Sequence, residues 1–432
     1  MRTAPAWLPP ALFALASSFL MADSCIAPAV LGAMRESYGV GEVALGLVGS
    51  LPLMLGALLG LATGHLADRQ RRMPVLLGLL AVGELAALAS GWVLTSPSFS
   101  AFLAWRIIAG AAAGAMFPIA YSLVGDWVSA RHRALTASVI DVVWGVGMMA
   151  GPALGTWALA TAWGWRAAHV AAALPGLLCV GLFALWVREP AREAPGPGAK
   201  TGSETRTDSA HVSAAALLRR PGTLLLVLQS LPGNLPWGLL PFWLIAFFHE
   251  QRQLDVAEAT MLWEMLGIGA AVGLMLWGAL GDRLWRAAPA RVPLMCGGVM
   301  LLGVLAMAAL IHHPPADATG RAALGLLAGL LISAVGPNVR AMLINTNAAT
   351  ERGRVLGTFG LLDTLGRGAG PLAGGLIVTG SSGDMLAAMN VAMLCWVAAA
   401  GLLLATGAVL GRRMPAQAQP PAHDATAPSA IA

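Results

Sequence analysis

Charge is scarce in this chain: only 11% of its 432 residues are Asp, Glu, Lys or Arg, against roughly a quarter in soluble domains. Hydrophobic residues make up 57%, too many for the polar surface to cover a water-soluble core of this length. Cysteine is also sparse, and Cys25, Cys179, Cys296 and Cys395 fall singly inside apolar stretches without paired spacing. That excludes a disulfide framework or a thiolate metal site and implies buried free thiols. There is no Gly-x-x-x-x-Gly-Lys-Ser/Thr loop, which argues against ATP-driven work. Nor is there a nucleophile–base arrangement, which argues against catalysis. His312 and His313, before Pro314, read as solvated loop residues rather than metal ligands. No metal and no cofactor is expected. The net charge of +5 is distributed between apolar runs rather than gathered on one face, so nucleic acid is not an expected partner.

What the chain has is apolar runs. Twelve are long enough to cross a bilayer as helix, which takes about twenty residues: 9–30, 43–63, 74–95, 100–125, 135–158, 167–187, 221–248, 259–281, 292–312, 321–345, 355–379 and 384–410. They are rich in Gly, Ala and Leu, as closely packed membrane helices are, and show none of the alternation of a barrel. Reading Arg2 and the first run as a cleaved signal would leave eleven spans and spoil the two-fold pattern described below. The expected fold is an all-α integral membrane protein with twelve transmembrane helices in two pseudo-symmetric six-helix bundles. With the amino terminus inside, 19 Lys/Arg fall in cytoplasmic segments and 4 (Arg35, Arg166, Arg252, Arg321) on the other side. The positive-inside rule therefore places both termini in the cytoplasm.

The chain divides into residues 1–188, a Pro/Gly/Ser-rich flexible linker at 189–219, residues 220–411, and a disordered tail at 412–432. The halves echo one another. Gly64-His-Leu-Ala-Asp-Arg-Gln-Arg-Arg72 and Gly278-Ala-Leu-Gly-Asp-Arg-Leu-Trp-Arg286 share the frame Gly-x-Leu-x-Asp-Arg-x-x-Arg. Gly147, Gly151, Pro152 and Gly155 in the fifth span answer to Gly366, Gly370, Pro371, Gly374 and Gly375 in the eleventh, and Pro118 answers to Pro337. Glycines four apart line one helix face and admit close backbone approach. Their recurrence in corresponding helices points to a contact between the halves of a rocking protein.

These motifs resemble the major facilitator superfamily of secondary transporters over residues 8 to 411. The loop Gly64, Asp68, Arg69, Arg72 and its copy Gly278, Asp282, Arg283, Arg286 look like that family's signature loops, with Arg71 and Trp285 where glycine is usual. Arg106-Ile-Ile-Ala-Gly110 resembles its fourth-helix motif, whose arginine is implicated in proton handling. Gly147–Gly155 and Gly366–Gly375 resemble the fifth-helix motif associated with antiporters, with Thr156 replacing the final glycine. Leu66-Ala-Asp-Arg69, Gly164-Trp-Arg166 and Arg188-Glu-Pro190 are reminiscent of spinster-type carriers, although Ala113 stands where their glutamate is expected. The resemblance implies two bundles around a central cavity and alternating access, by a protein that works as a monomer on a small-molecule substrate and protons. It also implies a cytoplasmic latch formed by Asp68 and Arg72, with Asp126 placed to pair with Arg72. Asn345 occupies the position corresponding to Asp126, so the second loop lacks that acid.

Ionisable groups inside lipid are costly and turn to a bundle interior or to water. Eight fall within spans: Asp23, Glu84, Arg106, Asp141, Glu264, Arg340, Asp363 and Arg367. Asp23 either caps a locally broken helix or carries protons or substrate. Arg106 is a structural ion pair or a tuner of such an acid. Asp141 stands about 120° round its helix from the glycine stripe and is free to face a cavity. Asp363 and Arg367, four apart, read as an internal ion pair. Arg340 is suited to an anionic substrate, and Glu264 lies near an outer end. Glu84, in a peripheral third span, ranks last. Gln229, Asn234 and Trp237, amid Pro232 and Pro236, make a breakable helix suited to lining the cavity. Three functions follow as expectations: first, proton-coupled antiport exporting a small amphipathic compound from a bacterial inner membrane; second, uptake of an organic anion; last, a non-transporting receptor or scaffold.

Overall fold

In a computed structural model of the protein the described residues are 7–69, 71–129, 132–187, 220–347 and 352–413. The first half contains α1 (Leu8–Ser24), α2 (Ala27–Tyr38), α3 (Glu42–Arg69), α4 (Arg72–Gly91), α5 (Phe99–Trp127), α6 (Arg133–Leu159) and α7 (Arg166–Trp186). The second contains α8 (Pro221–Leu228), α9 (Ser230–Ala246), α10 (Val256–Ala287), α11 (Arg291–His312), α12 (Ala318–Ile332), α13 (Val335–Thr346), α14 (Arg352–Gly380) and α15 (Met385–Arg413). The linker 189–219, the tail beyond 413 and the side chains expected of Asp68 and Arg69 lie outside the described residues.

These helices make twelve spans. Ten are long and apolar enough by themselves, and α1 with α2, bent by 45°, make an eleventh. The twelfth is α14, whose 29 residues include Arg352, Arg354, Asp363 and Arg367 and so dilute its hydropathy. Three spans are interrupted, and each interruption falls four or five residues before a proline: α1 ends at Ser24 before Pro28, α8 at Leu228 before Pro232, and α12 at Ile332 before Pro337. A proline ring clashes with the carbonyl four residues back and donates no hydrogen bond to it. The seventh span breaks at Gln229, within the stretch from Gln229 to Trp237 that the sequence marks as breakable, while Pro236 and Pro241 lie inside unbroken α9.

The glycine stripes close each half on itself. A Cβ at Gly147 would lie 2.1 Å from the Ser18 carbonyl oxygen, and one at Gly151 would lie 2.4 Å from that of Ala22. The α6 stripe thus packs on α1 and α2 of its own bundle, correcting the expectation of a contact between halves. In α14, Gly366, Gly370 and Gly374 likewise face Leu231, Leu239 and Trp243 of α9. The opposite edge of α14 does join the halves. A Cβ at Gly46 would meet the Pro371 carbonyl at 2.7 Å, one at Gly375 the Glu42 carbonyl at 2.4 Å, and Ser50 Oγ accepts from the Leu372 amide at 2.9 Å.

Further bonds between halves lie at the end away from the linker. Arg35 reaches Glu250 at 3.1 Å and its own half's Glu42 at 2.8 Å, and the Thr156 and Thr260 hydroxyls are 2.8 Å apart. Toward the linker end, Asp141 and Arg340 are exposed.

Substitution Gly151→Val should destabilise the detergent-solubilised protein by about 1–3 kcal/mol through overpacking. Gly145→Ala, where nothing lies within 4 Å, should stabilise by up to about 1 kcal/mol. Thermal melting followed by size-exclusion chromatography measures both.

Candidate functional site

The break in the first span positions the most buried polar cluster of the first half. Asp23, at the end of α1, is 0% exposed. Its Oδ2 accepts from Arg106 Nη1 of α5, and its main-chain carbonyl accepts from Arg106 Nη2 at 3.3 Å. Its Oδ1 lies 2.6 Å from His169 Nδ1 of α7. A carboxylate can only accept, so His169 carries its proton on Nδ1, leaving Nε2, buried and without a hydrogen-bond partner, as the atom where a further proton would arrive. Phe102 and Trp165 present ring edges to the imidazole, with centroids 5.9 and 5.8 Å away. Arg106 and Asp23 thus form an ion pair, and His169 extends it. Sequence reasoning missed His169, which stands in an apolar span 146 residues from Asp23; its only signal was an imidazole in a stretch otherwise free of ionisable groups.

A second group of polar side chains is open to solvent at mid-span of the other half. Arg367 of α14 is 48% exposed at its side chain and lies 3.6 Å from Asp363. It donates to Asn234 Oδ1 of α9 at 3.5 Å. Trp237, half-buried one turn on, meets Trp396 of α15 edge to face at 6.0 Å. Gln229 does not join them: it is 1% exposed and packs toward Gly233. Arg340 is exposed and Glu264 half-buried. Across the cleft, exposed Asp141 accepts from the Tyr121 hydroxyl, with Phe117 stacked on Tyr121 at 5.9 Å. Tyr121 was not anticipated. His312 bonds Asn390 at 2.9 Å.

At the linker end Arg72, the first residue of α4, pairs with Asp126 and donates to Ser122 Oγ at 2.9 Å. Its counterpart Arg286 is exposed; among the described residues it meets no carboxylate, and its Nε donates to the Asp282 carbonyl at 3.2 Å. Asn345 is exposed. The duplicated hinge is asymmetric in its ion pairing.

The family model for the Major Facilitator Superfamily matches residues 12–320. The chain belongs to that superfamily. Among characterised proteins, this member is 27% identical to the 3-(3-hydroxy-phenyl)propionate transporter of Escherichia coli K12, over 82% of this chain and 84% of that one. It is 24% identical to the cis,cis-muconate transport protein of Acinetobacter baylyi, over 61% of this chain and 63% of the other. It is 27% identical to the gallate transporter of Pseudomonas putida, over 60% and 62%. Its fold matches a bacterial homologue of the human lysosomal transporter spinster, in an inward-facing, unoccupied conformation, with a TM-score of 0.77 at 18% identity, covering 95% of this chain and 97% of that one. The D-xylose–proton symporter gives 0.67 at 14% identity, covering 91% and 96%.

Breaking the Arg72–Asp126 pair with Asp126→Asn should slow solute flux in proteoliposomes about tenfold, whereas Arg286→Gln should change it less than twofold. Equal losses would mean that both hinges latch.

Proposed function

We propose that this superfamily member carries an organic anion, an aromatic or unsaturated carboxylate, into the cell together with protons. The observation that carries the reading is the half-exposed Arg367 at mid-span, which donates to Asn234 of α9, with half-buried Trp237 one turn on along that helix. A guanidinium fork matches a carboxylate, and indole faces and edges suit a planar π-system. The solutes in the names of the three relatives share that chemistry.

Coupling to protons follows from the membrane potential. Bringing one negative charge inward against 100 mV costs about 2.3 kcal/mol, which co-transported protons offset. Asp23 is the acid proposed to take up the proton, with Arg106 holding its ionised form and His169 relaying to it. Asp141, Glu264, Arg340 and Asp363 remain candidates for contact with solute as the cavity changes shape. Export by proton antiport, the first expectation, drew on the glycine–proline stripes. The α6 stripe packs within its own half and the α14 stripe packs on both α9 and α3, which favours no direction of transport; the solutes named for the relatives support the organic-anion reading. The orientation proposed puts both termini and the linker on the cytoplasmic side of a bacterial inner membrane, with the monomer as working unit.

In proteoliposomes with an acidic exterior, the protein should accumulate labelled 3-(3-hydroxyphenyl)propionate, gallate or muconate. Asp23→Asn should abolish accumulation while leaving the protein folded. Arg367→Ala removes a charge-assisted bond worth about 1.5–3 kcal/mol and should raise the half-saturation concentration about tenfold or more for carboxylates but not for their amides. Absence of accumulation of all three acids would reject the reading; equal loss for amides would make Arg367 structural.

A further inference from the structure

Glu84 of α4 is a buried acid that the function above does not use. It is 0% exposed, and neither carboxyl oxygen has a hydrogen-bond partner among the described residues. Such a group in a membrane bundle is costly, and the cost falls when the acid keeps its proton. The packing makes room for it: a Cβ at Gly176 of α7 would lie 2.2 Å from Glu84 Oε1, so the carboxyl fills the space that the glycine leaves. The same two helices meet again seven residues on, where a Cβ at Gly91 of α4 would lie 2.9 Å from the Cβ of His169. Glu84/Gly176 and Gly91/His169 are therefore two rungs of one antiparallel seam, two turns or roughly 10 Å apart. Helical spacing lines the seam between them with Ala87, Ala172 and Ala173, all buried. Glu84 and His169 thus stand on one seam, the Glu84 carboxyl and His169 Nε2 are both buried without a hydrogen-bond partner among the described residues, and His169 binds Asp23 through Nδ1.

We propose that Glu84 is a second proton-carrying residue that exchanges a proton with Asp23 through His169, away from the solute cavity. This rests on the proton-coupled reading above. In the exchange the Glu84 O–H proton passes to His169 Nε2 by way of a short file of water, and the imidazole releases its Nδ1 proton to the Asp23 carboxylate. The negative charge moves from Asp23 to Glu84, and the imidazole ends in its other tautomer. The charged and titratable groups around the path are Asp23 on α1, Cys25 at the break after it, Arg106 on α5, and Arg166, His169 and Cys179 on α7. Arg106 favours the charge on Asp23, so solute-driven movement of Arg106 would release it to Glu84.

The test compares wild type and Glu84→Gln in proteoliposomes by counterflow, which needs no net proton movement, and by accumulation under an imposed pH gradient. The ratio of accumulation to counterflow should fall at least tenfold in E84Q. An unchanged ratio and pH profile would make Glu84 a structural acid. Should E84Q not fold, infrared spectroscopy of wild type and Glu84→Asp decides: the protonated-carboxyl carbonyl band should shift in E84D and respond to Asp23→Asn. A band that is unaffected by both changes overturns the proposal. If the wild type accumulates none of the test acids, the transport reading fails, and the infrared result still decides Glu84.

Discussion

One buried carboxylate organises the first half. Asp23 sits where α1 gives way to α2, and its charge is tolerable only because Arg106 and His169 converge on it from α5 and α7. Removing one partner of such a pair leaves the other uncompensated, at about 3–5 kcal/mol. The surrounding packing follows from bringing these helices together. Pro28 breaks the first span beside the acid, and Gly147 and Gly155 let α6 press on α1 and α2 on either side of the break. The ion pair, the break and the glycine stripe form one device.

The second half repeats the packing without repeating the chemistry. At the offset that relates Pro118 to Pro337, Arg106 corresponds to Gly325, His169 to Ala388, and Asp126 to Asn345. What the second half offers instead is the half-exposed Arg367 beside half-buried Asn234, with Trp237 against the fully buried Trp396. Duplication supplied two similar frames, and the polar residues then diverged. One frame holds its charges dry, and the other presents them to the cleft.

Much of this architecture was legible in the chain. Twelve apolar runs mark the spans, because a bilayer sets their length. The Asp363–Arg367 pair was readable because four residues bring side chains to one helix face. Other features required tertiary information. Proline spacing explains the three interruptions, yet Pro52, Pro118, Pro152 and Pro371 lie in unbroken helices, so proline alone does not predict a break. The glycine stripes announced close packing but not which helix they pack against. His169 and Glu84 were passed over for the same reason: what makes each distinctive is a neighbour on another helix, and periodicity along one helix says nothing about that neighbour.

The Arg35–Glu42–Glu250 cluster ties the halves together at the end remote from the linker, and each of its side chains is only partly buried. Charges in that position are screened by dissolved ions, with a Debye length of about 8 Å at physiological ionic strength. The clamp is thus weaker in brine than in fresh water, while the dry cluster at Asp23 is sheltered from the same ions. The salinity of the surroundings therefore acts on the contact between the two halves without touching the buried cluster.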